Sequence, residues 1–111
     1  MISLIVITRN EEKNIERCLN SVKKIADEII IVDTGSTDNT KELAKKFTDK
    51  IFDFKWIDDF SAAKNFALDK ANEDWILFLD ADETIAEKDL DKIKKLIEKD
   101  SYGFSFVQRN Y

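Results

Sequence analysis

The chain has 111 residues, of which 43% are hydrophobic and 37% charged, with a formal net charge of −5. This composition predicts a single folded domain over residues 1–111 and argues against disorder. The negative charge argues against nucleic acid as the main partner, and no apolar run is long enough to be a transmembrane segment. The chain has no histidine and one cysteine, which argues against zinc and fits a reducing, cytoplasmic location.

The first half of the chain alternates apolar strands with helices. Residues 2–7 and 28–32 are mostly apolar and rich in β-branched side chains, which predicts buried strands. The polar stretches that follow them, residues 8–12 and 33–38, are predicted to cap the next helix in each case. Apolar residues recur at helical spacing in both helices, so these are expected to face the core: Ile15, Cys18, Leu19, Val22 and Ile25 in the first, and Leu43, Ala44 and Phe47 in the second.

The second half continues the alternation. Residues 51–54 are predicted to form a short strand and residues 60–71 a helix. Trp56 and Phe60 are interpreted as a small satellite core under a loop, and the alternative is a platform for a sugar. Residues 75–79 form an apolar run typical of a strand buried on both faces. A helix with Leu90, Ile93 and Ile97 inward follows, and the apolar alternation over residues 102–106 predicts a final strand. The pattern as a whole predicts an α/β fold with an open, mostly parallel sheet flanked by helices.

Two aspartates directly follow the apolar run. Side chains at i and i+2 of an extended segment point the same way, so Asp80 and Asp82 are expected to present carboxylates to one point, with Ala81 leaving room for a bulky ligand. Carboxylate oxygens are the ligands that Mg²⁺ and Mn²⁺ prefer. The alternative is an acidic surface turn in which Glu83 and Glu87 begin the next helix.

Three polar clusters, residues 8–12, 33–38 and 80–83, fall at predicted carboxyl ends of strands, where open α/β sheets bind ligands. Gly35 in the second cluster lets a ligand approach the backbone closely. The chain has no glycine-rich dinucleotide motif or P-loop, and no nucleophile has a histidine to activate it. Two aspartates and a nucleotide diphosphate repel each other, so sharing one site requires a divalent cation between them.

Four segments resemble the motifs of the family 2 glycosyltransferases in order and spacing. They are residues 5–12 (IVITRNEE), 31–38 (IVDTGSTD), 62–67 (AAKNFA) and 78–83 (FLDADE). The similarity spans nearly the whole chain and looks closest to a bacterial branch with lipopolysaccharide core glucosyltransferase-like members. It implies a GT-A fold, truncated before the acceptor-binding half, that binds a nucleotide-diphosphate sugar with Mg²⁺ or Mn²⁺. The expected donor is a UDP-sugar.

The resemblance also implies roles for individual residues. Asp82 would be the main metal ligand, and Asp80 would contact the ribose or reach the metal through water. Arg9 stands where many members carry an aromatic residue, and Thr34 where many carry a second aspartate, which leaves the choice of base open. The residues that would line the donor are Thr8, Arg9, Glu11, Asp33, Thr34, Gly35, Lys64, Asp80 and Ala81.

In this family the C-terminal half binds the acceptor and carries the general base, which is therefore expected beyond Tyr111. No motif supports Glu83 or Asp89 as that base. The chain is thus predicted to be an inverting transferase fragment that is poorly active alone and exposes apolar surface that favours self-association. Two alternatives remain open. One is a non-catalytic interaction module on a degenerate transferase fold, and the other is a metal-dependent nucleotidyltransferase, whose glycine-rich phosphate loop is not seen.

Overall fold

Strands and helices alternate along the chain. The computed structural model describes residues 2–73, 75–99 and 105–107. In chain order the elements are β1 (Ile2–Thr8), α1 (Ile15–Val22), β2 (Glu28–Asp33), α2 (Thr40–Ala44), β3 (Ile51–Asp53), α3 (Phe60–Lys70), β4 (Trp75–Phe78), α4 (Glu87–Lys99) and β5 (Ser105–Val107). None of the helices among these residues combines the length and apolar character that crossing a membrane requires.

The strands form one sheet in the order β3-β2-β1-β4-β5, and each pairing among them is parallel. The predicted open α/β sheet is therefore confirmed. Because β2 and β3 lie on one side of β1 while β4 and β5 lie on the other, the winding reverses next to β1. Ligands in such sheets bind beyond the carboxyl ends of the strands at this reversal.

The sheet is covered on both faces, which explains the nearly continuous apolar runs of its strands. On one face, strand residues such as Leu4 and Leu77 pack against α1, α2 and α4. On the other face, Ile5 and Ile30 pack against α3 through Ala67. The apolar face predicted for α1 is confirmed, because all five of its expected core residues are buried: Ile15, Cys18, Leu19, Val22 and Ile25.

The last two predicted elements are present. Helix α4 buries Leu90 and Ile93, whereas the side chain of Ile97 lies outside the described part. The final strand is confirmed at residues 105–107, where β5 pairs with β4. Tyr102 and Phe104 lie outside the described residues.

The loop between β3 and α3 points large side chains to solvent. Trp56 is 36% exposed and Phe60 is 53% exposed, so the interpretation of these residues as a satellite core is wrong. The neighbouring Phe54 and Phe66 do pack against the core, with ring centroids 5.0 Å apart. The loop is also held outward locally, since the Trp56 indole donates to Asp58 Oδ1 at 2.9 Å and Asp58 has a φ of 56°.

A buried carboxylate ties the amino ends of the strands together. Glu28 begins β2, and its Oε1 accepts from the Ser3 hydroxyl at 2.6 Å and the Asn72 backbone N–H at 2.8 Å. Its Oε2 accepts from the Lys50 ammonium and from Asn72 Nδ2. Burial acts to raise the pKa of Glu28, but the hydrogen bonds from Lys50, Ser3 and Asn72 outweigh it and lower the pKa to about 2. This cluster lies at the edge opposite the carboxyl ends of the strands.

Candidate functional site

The loops after β1 and β2 are bound to each other at the carboxyl edge of the sheet. The Asn10 backbone N–H donates to Ser36 Oγ at 2.8 Å, and Asn10 Oδ1 accepts from the Thr37 N–H at 2.8 Å. The Glu11 N–H donates to Thr40 Oγ1 at 2.8 Å. Asn10 has a φ of 52°, a conformation that asparagine tolerates better than most residues. The two loops therefore form one surface.

The prediction that the two polar stretches cap the following helices is wrong for α1 and holds in part for α2. Helix α1 begins after Asn14 and helix α2 after Asn39, and neither residue makes a side-chain capping hydrogen bond. Asp38 Oδ1 accepts from the N–H of Thr40, the first residue of α2, at 2.9 Å, whereas Asn10 and Ser36 bond across to the neighbouring loop. Capping is a local signal, whereas these partners lie 26 to 29 residues apart in the chain.

Two unpartnered polar atoms lie side by side at the ends of β1 and β2. Thr8 and Asp33 are register partners and are 3% and 2% exposed. Asp33 Oδ1 accepts from the N–H groups of Gly35 at 2.9 Å and Ser36 at 2.7 Å. Within the part of the chain that the structure describes, Asp33 Oδ2 and Thr8 Oγ1 have no hydrogen-bond partner. Leaving such groups buried and unpaired is costly, so the pair is suited to a ligand with a hydrogen-bond donor.

The residues after Asp33 shape the same surface. The Thr34 N–H and hydroxyl both donate to the Thr8 carbonyl, at 3.0 and 3.2 Å. The Thr34 hydroxyl proton is therefore already used, and only its lone pairs remain for a ligand. Gly35 has a φ of 119°, which side-chain-bearing residues rarely adopt, and nothing lies within 4 Å of the place a Cβ would occupy. The backbone at Gly35 is open to an approaching ligand.

The paired aspartates lie on a turn, which corrects the prediction of an extended segment. Strand β4 ends at Phe78, and the Glu83 N–H donates to the Asp80 carbonyl at 2.9 Å. The Glu83 carboxylate in turn accepts from the Asp80 N–H at 2.9 Å. The i, i+2 argument for Asp80 and Asp82 therefore does not apply, although both residues are exposed at the carboxyl edge of β4. The local geometry is therefore that of the alternative prediction, an acidic surface turn ahead of the next helix.

Ala81 does not provide the open space that was expected of it. It is 3% exposed and belongs to the main core, so it anchors the turn from below. Cys18 of α1 lies under the same turn and donates its S–H to the Asp80 carbonyl at 3.5 Å. Burial raises the pKa of Cys18 to about 12, and the nearby charges of Glu83, Asp82 and Asp80 add to the effect. Cys18 is thus a protonated core residue, as predicted.

The turn concentrates negative charge. Partial desolvation raises the pKa of Asp80 even though the residue is exposed, and the charges of Glu83, Asp82 and Glu11 act in the same direction. A divalent cation would relieve this repulsion, and two carboxylates are a donor set that Mg²⁺ and Mn²⁺ accept. Among the described residues, no group of three or more His, Cys, Asp or Glu side chains is arranged to hold a metal. Asp80 and Asp82 alone could supply two carboxylates to a cation, which would take its remaining ligands from a phosphate or water.

The other residues that were predicted to line the nucleotide sugar lie around this edge. Arg9 is exposed on the loop after β1. Glu11 is half-buried, and its Oε1 accepts from Asn14 Nδ2 at 3.0 Å. Lys64, in the first half of α3, places its Nζ 4.4 Å from the ring centroid of Phe78, at the end of β4. The side chains at the ends of β1, β2 and β4 and on α3 are therefore brought to one edge of the sheet.

The chain matches glycosyl transferase family 2 over residues 3–111. It is 42% identical to an uncharacterized glycosyltransferase of Rickettsia typhi over 93 residues, covering 84% of this chain and 32% of the relative. The chain spans between about a fifth and a third of the length of the curated relatives it matches.

Two solved structures share the fold. S. aureus TarS 1–349 in complex with UDP-GlcNAc has a TM-score of 0.69 and 30% identity, over 88% of this chain and 31% of TarS 1–349. Glucosyl-3-phosphoglycerate synthase from Mycobacterium tuberculosis, in complex with Mn²⁺ and UDP-glucose, has a TM-score of 0.65 and 25% identity, over 76% of this chain and 34% of the synthase. The match over residues 3–111 shows that the chain belongs to glycosyl transferase family 2, and the similarity to the two solved structures shows that it has a GT-A-type fold.

Proposed function

We propose that residues 1–111 form the donor-binding domain of an inverting glycosyltransferase, which binds a UDP-sugar together with Mg²⁺ or Mn²⁺. The observation that carries this proposal is the buried pair of unpartnered atoms, Thr8 Oγ1 and Asp33 Oδ2, at the same sheet edge as the acidic turn. One end of a nucleotide-diphosphate sugar needs hydrogen bonds to its base, and the other needs compensation of its diphosphate charge. The edge offers both.

The base would lie over the ends of β1 and β2. Uracil has one ring N–H between two carbonyl oxygens, so it matches an acceptor beside a donor. Asp33 Oδ2 would accept from the ring N–H, and the Thr8 hydroxyl would donate to a carbonyl oxygen. The open backbone at Gly35 would let the base come close, and the exposed guanidinium of Arg9 is long enough to stack on it. The complexes of the two similar structures with UDP-sugars support uracil as the base.

The diphosphate would lie by the acidic turn, with Asp82 as the main metal ligand and Asp80 next to the ribose or the metal. When bound, the metal would supply Lewis-acid stabilisation of the leaving diphosphate. Lys64 lies beside the end of β4 and would add a positive charge for the diphosphate or the base. The Mn²⁺ in the complex of the mycobacterial synthase supports a divalent cation here. Ala81 is buried, so no contact between its side chain and the nucleotide sugar is proposed.

The chain corresponds to about a third or less of its relatives, so acceptor binding and the general base are assigned to residues outside these 111. Asp89 is paired with the Lys92 ammonium on α4 at 3.9 Å, so it is not assigned the role of general base. A general base is worth roughly 10²- to 10⁴-fold in rate, so the chain alone is expected to transfer sugar poorly. A cytoplasmic location, self-association and the lipopolysaccharide branch stay predictions.

Titration calorimetry tests the donor site directly. UDP is expected to bind in the presence of Mn²⁺ and to lose at least about tenfold in affinity in EDTA, which corresponds to about 1.4 kcal/mol. Asp82→Asn is expected to remove the Mn²⁺ dependence, because it deletes the main charged ligand without changing the side-chain shape. Asp69→Asn, an exposed substitution on α3 with the same change in charge, is the matched control and should bind UDP as the wild type does.

Two outcomes would contradict the proposal. If Asp82→Asn binds UDP with the same Mn²⁺ dependence as the wild type, the assignment of Asp82 is wrong. If the folded wild-type chain binds neither UDP nor GDP with Mn²⁺, the chain lacks a working donor site. The non-catalytic interaction module would then be the better assignment. Circular dichroism of each variant establishes that the comparison concerns folded protein.

A further inference from the structure

The carboxylate of Glu83 is directed back into its own turn. Its Oε1 accepts from the Asp80 N–H at 2.9 Å, while the Glu83 N–H donates to the Asp80 carbonyl at 2.9 Å. Each of these two residues therefore bonds the other twice, once through the backbone and once through the Glu83 side chain. We propose that Glu83 is a positioning residue for the acidic turn and is neither a metal ligand nor the general base. This inference rests on the proposed donor site, since it concerns how Asp82 is presented there.

Helix α1 holds the same turn from the other side. The Cys18 S–H donates to the Asp80 carbonyl at 3.5 Å, so that carbonyl receives two donors. One helical turn later, the Ser21 hydroxyl donates to the Cys18 carbonyl at 2.7 Å and accepts from the Ile85 N–H at 3.1 Å. Ser21 thus links the helix to the chain beyond the turn. The segment from Asp80 to Ile85 is fixed at both ends to α1.

The start of the turn is fixed by burial. Leu79 and Ala81 are 4% and 3% exposed and pack in the main core, and the Leu79 N–H donates to the Ile5 carbonyl of β1 at 3.1 Å. Asp82, which follows Ala81 and precedes Glu83, is exposed. A loop that is ordered before the ligand arrives does not lose further conformational entropy when it binds. The Glu83 bond therefore acts on affinity through geometry, as outer-shell partners of metal ligands do.

Glutamine and alanine at residue 83 separate this role from a role in metal binding. Glu83→Gln keeps an oxygen that can accept from the Asp80 N–H but removes the negative charge, whereas Glu83→Ala removes both. We expect Glu83→Gln to bind Mn²⁺ and UDP within about threefold of the wild type and Glu83→Ala to bind about tenfold more weakly. Glu42→Gln, an exposed change of the same charge on α2, controls for net charge.

Each outcome of the titration supports or overturns the proposal. If Glu83→Gln loses as much affinity as Glu83→Ala, the charge of Glu83 matters and it acts on the metal. If neither variant loses affinity, the turn does not depend on Glu83. Hydrogen exchange of the Asp80 amide in the nucleotide-free protein gives a second readout, in which protection should persist in Glu83→Gln and fall in Glu83→Ala. This readout still tests the positioning role if the wild-type chain fails to bind UDP.

Discussion

Replacing Glu28 with glutamine is expected to lower the free energy of unfolding by about 3 kcal/mol at pH 7. Each carboxylate oxygen of Glu28 accepts from two donors, and the side chain is 4% exposed. Whichever way the glutamine amide is turned, its NH₂ group faces two donors that then lose their acceptor. Urea denaturation followed by circular dichroism measures the loss.

The loss should depend on pH. Glu28 has a pKa of about 2 in the folded protein, below its ordinary value of 4.5, so its contribution to stability is complete above pH 4.5. It is lost as the pH falls from about 4.5 to about 2, and the wild type and Glu28→Gln should converge in stability over that range. Glu16→Gln is the control, because Glu16 pairs with Lys46 at 3.0 Å in an exposed position and contributes at most about 1 kcal/mol. A difference that stays constant down to pH 2 would contradict the assignment of this cluster.

The elements of the fold could be predicted from local patterns. Each apolar run forms a strand because it is covered on both faces, and the helical spacing of residues such as Ile15 and Leu19 correctly identified the buried face of α1. The parallel sheet then brought the three polar clusters to one edge, since every strand ends there. The edge that carries the candidate site therefore followed from the alternation of strands and helices.

The internal structure of the site depended on contacts between distant residues. Asp80 and Asp82 follow an apolar run, and nothing local shows that the strand stops at Phe78, where Cys18 of α1 holds the turn from 62 residues away. The burial of Glu28 was also not predictable from the local sequence, because a charged residue at the start of a strand is ordinarily solvated. Only its partners, which lie 22 to 44 residues away, explain its burial.

Asparagine at residue 33 is expected to weaken UDP binding by roughly 10- to 100-fold while leaving the fold intact. The asparagine Oδ1 can keep the hydrogen bonds that Asp33 Oδ1 accepts from the Gly35 and Ser36 N–H groups. Its NH₂ group then replaces Oδ2, the buried oxygen that has no partner among the described residues. A donor would thus face the uracil ring N–H in place of an acceptor. Calorimetry with Mn²⁺ measures the loss, and thermal unfolding tests whether the fold is retained.

The comparison of UDP with CDP makes the Asp33 prediction specific. The cytosine ring nitrogen at the same position carries no hydrogen and accepts hydrogen bonds, so the wild-type carboxylate should disfavour CDP. In Asp33→Asn the new NH₂ group can donate to that nitrogen, and the ratio of UDP to CDP affinity should fall by more than tenfold. A loss that is equal for both nucleotides would mean that Asp33 shapes the loop without contacting the base. Unchanged binding of both would place the base away from β2, and Thr8 and Asp33 would then need another partner.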